Sequence, residues 1–250
     1  MVLEPDPLAA EAVAARIAPI IDRLRLAGAR RTMQLSTAAG LITASGVSGP
    51  AFQLFMMMRN TLPGRALSAE QLGAAFIYQG PRAADLLLAE LHGADLIEGD
   101  AGLPMRLTEH GRELMGGLVV TGAEAVTELW GAGTSAAAKL LPLVDRALVA
   151  AAASGGPGYA LMTPSYDSPD ASDEAKLSER LAGLRFHRFD AHVAAWTAAG
   201  LTAQTVKVLA PGPERDAIEA DTNRRAAAPY SSLAPTERLD LVAALGALSG

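Results

Sequence analysis

Apolar residues recur at helical spacing along most of the chain, and the runs break at glycine and proline. Over residues 11–29 they stand at Val13, Ile17, Ile20, Ile21, Leu24 and Leu26, which predicts an amphipathic helix with Gly28 as its stop. Residues 36–49 are small and glycine-rich and read as a connector. Residues 49–61 gather Phe52, Leu54, Phe55 and Met56 to Met58, and end in the turn signal Thr61-Leu62-Pro63-Gly64. Ser68 stands three residues ahead of Gln71, a capping box that opens a short helix to Phe76. A further helix is expected from Pro81, just after a Gln79-Gly80 turn, to about His92.

Two short strands follow, Leu96-Ile97-Glu98 and Met105-Arg106-Leu107, joined by the turn Gly99-Asp100-Ala101-Gly102, and Thr108 is placed to cap the next helix. Beyond it the pattern is helical at 122–130, 136–153, 172–199, 203–209, 213–225 and 235–248. Residues 154–170, with three glycines and three prolines, read as a long loop, a length at which loops often cover or form a site.

Helix, turn, helix, two-stranded wing, helix: residues 48–117 resemble a MarR-like winged-helix domain. The residues that carry the likeness are Leu67-Ser68-Ala69-Glu70-Gln71-Leu72, Leu91-His92-Gly93-Ala94-Asp95-Leu96-Ile97-Glu98 and Leu107-Thr108-Glu109-His110-Gly111-Arg112-Glu113-Leu114. The expected fold is therefore mainly α: a winged helix-turn-helix with a two-stranded β wing, joined to a C-terminal helical domain. The expected division is 1–130 and 131–250. The resemblance implies a homodimer supported by the first helices and the helix at 136–153. It also implies a DNA reader, for which Gln79, Arg82 and Arg106 are the candidate contacts.

Charge argues against that reading. The chain carries 27 acids against 21 bases, a formal net of −6, and the acid excess sits on the motif itself. From Ser68 to Glu113 there are eight acids and three bases, where phosphate contacts would need arginine and lysine. Nucleic acid is therefore not the expected partner, and the winged helix reads as scaffold or dimerisation module.

The absence of cysteine excludes a disulfide framework, a thiolate nucleophile and every cysteine-ligated metal. The first ten residues have neither a basic nor an apolar leader region, and the apolar runs are too short and too charged for a bilayer. A cytoplasmic protein without membrane contact is the expectation. Phosphate-loop, dinucleotide, zinc-protease and Gly-x-Ser-x-Gly signatures are absent from the sequence.

The remaining chemistry concentrates in the longest helix. Leu184-Arg-Phe-His-Arg-Phe-Asp-Ala-His-Val-Ala-Ala-Trp196 is apolar nearly all round, which predicts burial. Yet it holds His187, Arg188, Asp190 and His192 within six positions. A second polar cluster lies in the 213–225 helix, where Glu219, Asn223 and Arg224 stand around Ile218, its one large apolar residue; Pro229-Tyr230 follows. With its His-Arg-x-Asp-x-His run, this C-terminal third resembles actinobacterial helix-turn-helix-family proteins of unassigned function. That likeness implies only that the motif residues share a site.

Two readings follow. In the first the protein binds a small molecule and works as a cofactor-independent acid–base enzyme. Asp190 orients His187, His192 is the acid or base, and Arg188, Trp196, Glu219, Asn223, Arg224 and Tyr230 line the ligand site. In the second the same pocket holds the effector of a DNA-binding regulator. No cofactor is expected; a metal would have to use His187 or His192 with Asp190 or Glu219.

Overall fold

The computed structural model describes residue 6 and residues 8–68, 71–73, 76–99, 104–133 and 135–248. The elements are α1 (Ala10–Gln34), α2 (Ser36–Ser45), α3 (Gly49–Met58), α4 (Pro81–Gly93), β1 (Ile97–Glu98), β2 (Arg106–Leu107) and α5 (Glu109–Trp130). They continue with α6 (Ser135–Ala151), α7 (Pro157–Met162), α8 (Asp173–Ala198), α9 (Ala203–Lys207), α10 (Pro213–Arg225), α11 (Ala228–Ser231) and α12 (Pro235–Ala247). The chain is mainly helical, with one two-stranded antiparallel sheet in which Ile97 faces Leu107 and Glu98 faces Arg106.

The local signals act as their chemistry requires. Ser68 and Gln71 form a reciprocal capping box: the Gln71 N–H donates to Ser68 Oγ at 3.2 Å and the Ser68 N–H to Gln71 Oε1 at 3.0 Å. Thr108 caps α5 through the Gly111 N–H at 2.9 Å, and Ser172 caps α8 through the Ala175 N–H at 3.2 Å. The expected wing tip at Asp100 to Gly102 lies outside the described residues.

Four expectations are corrected. Residues 36–49 are not a connector, for α2 occupies most of them, with Gly46 in the left-handed conformation at its end. Gly28 does not stop α1. It lies inside a helix that runs on to Gln34, and its missing side chain lets Val126 approach. The helix expected at 122–130 is the second half of α5, which is continuous from Glu109. The long loop at 154–170 contains α7, whose cap is supplied from outside the loop.

Two apolar cores share α8. One joins α3, α4, the strands and the first half of α5 to Leu161, Met162, Ala182 and Phe186. The other sets Val13, Ile17, Ile21 and Leu24 of α1 against α6, α11, α12 and the Leu177–Leu181–Leu184 stripe of α8. The N-terminal helix is thus built into the C-terminal core, so the apolar cores do not part at residue 130. Gly111 marks the tightest joint between α5 and the strands: a Cβ there would stand 1.9 Å from the Leu96 carbonyl oxygen.

Among the described residues no single helix is long and apolar enough to cross a membrane. Helices α2 and α3 have the length and composition together but meet at a bend of 106°, and α3 buries Phe52, Leu54, Phe55 and Met58 in the first core.

Candidate functional site

The four motif residues of α8 fall on two flanks that do different work. On one flank, His187 and Asp190 face the segment that leads into α7. Asp190 accepts three backbone N–H groups, from Gly156 at 3.0 Å, Gly158 at 3.0 Å and Tyr159 at 2.7 Å. Its carboxylate is therefore the missing N-terminal cap of α7. Burial pushes the Asp190 carboxyl above the usual range while those three donors pull it back. Gly158 is obligatory in this arrangement, because a Cβ would sit 2.7 Å from Asp190 Oδ1.

His187 is 2% exposed. Its Nε2 pairs with Ser154 Oγ at 2.9 Å, and its ring meets Tyr159 edge to face at 5.9 Å. Burial pulls its pKa down to about 4, so it is neutral at pH 7. The expectation that Asp190 orients His187 is corrected here. Both side chains turn to the 154–159 segment, and the backbone donors there have already claimed the carboxylate.

The other flank, Arg188 and His192, meets α10. Arg188 Nη1 donates to Asn223 Oδ1 at 2.7 Å and Nη2 donates to Glu219; His192 Nδ1 lies 3.1 Å from Thr222 Oγ1. The polar clusters of the two helices therefore meet, matching one i, i+4 pair on α8 with a facing row on α10. Thr222 donates its single hydroxyl hydrogen to the Ile218 carbonyl at 2.8 Å. Its oxygen keeps lone pairs to accept with, the arrangement in which His192 carries its proton on Nδ1. Burial lowers the His192 pKa, with Arg188 and Arg215 acting in the same sense and Glu219 opposing, which favours the neutral ring.

Arg188 and His192 line two cavities. One, of about 250 Å³, is lined by Ile21, Leu184, Phe189 and Tyr78 and opens to solvent past Arg185 and Asp22, with Tyr230 in its wall. The other, of about 550 Å³, opens toward α9 and α10 past Val206, Leu209 and Arg215. Tyr230 is held in the first by α11, where its carbonyl accepts from Arg238 Nε at 2.8 Å. It is only 5% exposed, yet its hydroxyl has no hydrogen-bond partner among the described residues. Burial raises its pKa, so the hydroxyl stays protonated and can donate.

Other expected lining residues sit elsewhere. Trp196 backs the site from behind, donating from Nε1 to the Tyr78 hydroxyl at 3.1 Å. Arg224 points away, its side chain 63% exposed and paired with Asp221 at 2.6 Å. Glu219 and Asn223 hold Arg188 rather than the cavity wall of Tyr230. Gln79, Arg82 and Arg106 are exposed, Gln79 just after Tyr78, and none of the three lines either cavity. Among the described residues no group of three or more His, Asp or Glu side chains is placed to hold a metal.

Sequence reasoning missed Tyr78, Thr222, Asp22 and Arg185. Thr222 was legible in part, as a poor helix former inside a helix; Tyr78 gave no signal beyond lying before a turn. It also missed a separate cavity of about 380 Å³ beside Asn60, Val119, Thr127 and Tyr166. There Glu179 lies between Arg59 at 3.0 Å and Arg25 at 3.8 Å; burial pushes Glu179 up, but the two guanidinium groups outweigh it and hold it below the usual range.

Comparison with protein-family models, curated proteins and solved structures finds no match to this chain.

Proposed function

We propose that the protein binds a small molecule in the cavity between Arg188, His192 and Tyr230. Residues 48–117 then serve as a winged-helix-like scaffold. The observation that carries the reading is a cavity of about 250 Å³ whose wall brings Arg188, His192 and Tyr230 together, the Tyr230 hydroxyl having no hydrogen-bond partner among the described residues. A ligand atom that accepts from that hydroxyl gains a hydrogen bond of about 0.5–1.5 kcal/mol. The volume, about 250 Å³, lies just below the roughly 300–1,000 Å³ typical of drug-sized ligands, so the ligand is smaller than that class. Its body is apolar, against Ile21, Leu184 and Phe189.

The regulator reading draws less support. The exposed side of α4 presents Arg82 beside Asp85 and a Leu86 that is 72% exposed, a poor surface for phosphate.

Calorimetric titration with benzoate, benzamide and benzoylformate tests the proposal. These share one apolar ring and differ in charge and in donor and acceptor groups. At least one is expected to bind, and Tyr230→Phe is expected to weaken it about tenfold, near 1.4 kcal/mol. Silence from all three, or affinity indifferent to Tyr230→Phe, overturns it.

A further inference from the structure

Each charged residue in the wall of the 250 Å³ cavity already has a counter-charge. Arg185 Nε pairs with Asp22 Oδ1 at 2.6 Å. Arg188 pairs with Glu219 and has Asn223 as a further acceptor. The remaining titratable groups of the wall are pushed toward their neutral forms by burial, which lowers His192 and raises Tyr78 and Tyr230. The wall therefore holds two positive charges against two negative ones once Glu219 is counted.

The polar capacity left over is mostly that of donors. The Tyr230 hydroxyl gives its hydrogen to no described residue. The Tyr78 hydroxyl accepts from Trp196 Nε1 at 3.1 Å, which leaves its own hydrogen to give. Arg188 keeps N–H groups beyond those used by Asn223 and Glu219. Around these donors the wall is apolar and rich in rings. Tyr78 and Phe189 meet edge to face at 5.7 Å, and Ile21 and Leu184 line the same space.

A carboxylate entering this space would reach Arg188 only in competition with Glu219. An amidinium would reach Asp22 only in competition with Arg185. Either would leave water without gaining a counter-charge of its own, and an unmatched charge loses more on desolvation than a few hydrogen bonds return. A neutral carbonyl oxygen has no such cost and can accept from the donors that are free. A flat ring suits a wall of rings, which pack offset or edge to face.

We propose that this cavity takes a neutral aromatic molecule bearing a hydrogen-bond acceptor, of the aryl amide or aryl ketone class. The proposal rests on the reading of this cavity as the ligand site and names its ligand chemistry.

The experiment titrates the full chain by calorimetry at pH 7 with probes of one size and shape. Benzamide and acetophenone are neutral with an acceptor, benzoate is the anion and benzamidine the cation. In α-methylstyrene a CH₂ group replaces the acetophenone oxygen. Benzamide and acetophenone are expected to bind at least about tenfold tighter than benzoate or benzamidine. Acetophenone should exceed α-methylstyrene several-fold, and Tyr230→Phe should narrow that gap. Glu219→Gln, at an exposed position, should move the preference toward benzoate by about threefold or more, because it frees the charge of Arg188.

Benzoate or benzamidine bound as tightly as benzamide by the native protein overturns the neutral class and leaves the cavity reading standing. Equal affinity for acetophenone and α-methylstyrene overturns the acceptor. Cyclohexanecarboxamide bound as tightly as benzamide overturns the aromatic ring. No binding of any probe overturns the proposal and the cavity reading together.

Discussion

Tyr230 and His187 are both buried and both titratable, and their neighbours give them opposite roles. His187 has a partner in Ser154 and a ring stacked at its edge; Tyr230 has a hydroxyl without a partner among the described residues. Removing that hydroxyl should therefore cost the fold nothing. Tyr230→Phe is expected to leave the urea midpoint unchanged or to raise stability by up to about 1 kcal/mol, while ligand affinity falls. A loss of 2 kcal/mol or more, on the scale of a broken buried hydrogen bond, would mark the hydroxyl as structural.

For His187 the folded pKa, about 4, lies below the roughly 6.5 of the unfolded chain. As pH falls through 6.5 the unfolded chain binds a proton that the folded chain refuses until about 4. Stability is thus fully present above 6.5 and drains away across that window, by about 3 kcal/mol from this one side chain. Denaturation at pH 7.5 and 4.5 should show a drop in the native protein that His187→Gln reduces by that amount. Equal slopes in the two proteins would refute the assignment. The sequence marks both residues as ionisable groups in apolar surroundings, but it cannot separate them, because partner or no partner is settled by residues 33 positions away in one case and by a cavity in the other.

The elements show the same division. Elements bounded by glycine, proline or acidic first turns were legible to within a residue or two: α10 at 213–225, α8 read as 172–199, and the Ile97 and Leu107 strands. Helix α7 was not, because its six residues carry no local acceptor for their N–H groups. The cap comes from Asp190, 31 to 34 positions on. Asp190 looked catalytic for the same reason that it is structural: a carboxylate inside an apolar helix must be answered by something.

Asp190→Ala should cost about 2–3 kcal/mol, the range for hydrogen bonds to a charged group, and Asp190→Asn less, since the amide keeps one acceptor. Hydrogen exchange should quicken at the Gly158 and Tyr159 amides before the rest of the molecule. If Asp190→Ala instead kept full stability and abolished ligand binding in the cavity of Arg188 and Tyr230, the carboxylate would belong to the site.

At the scale of the whole molecule, α8 ties the two apolar cores together and puts the polar seam with α10 at their junction with α1. The charge distribution fits a protein whose chemistry lies there rather than at the strands. Duplex DNA demands several arginine or lysine side chains on one face, because each neutralised phosphate contributes through counterion release. The segment from Ser68 to Glu113 supplies three bases against eight acids, and the Ser48 hydroxyl and N–H at the start of α3 are held by Glu90 of α4. That carboxylate joins two helices of the would-be reader and places a further negative charge there. The expected outcome is no retention of a fluorescent duplex at about 50 mM salt, where non-specific affinity is greatest. Reversing Asp85 and Glu90 to lysine should create salt-sensitive binding only at the cost of the α3–α4 joint, seen as a lower melting temperature. Tight binding by the native chain that weakens steeply with added salt would instead return α4 to the major groove and make the Tyr230 cavity an effector site.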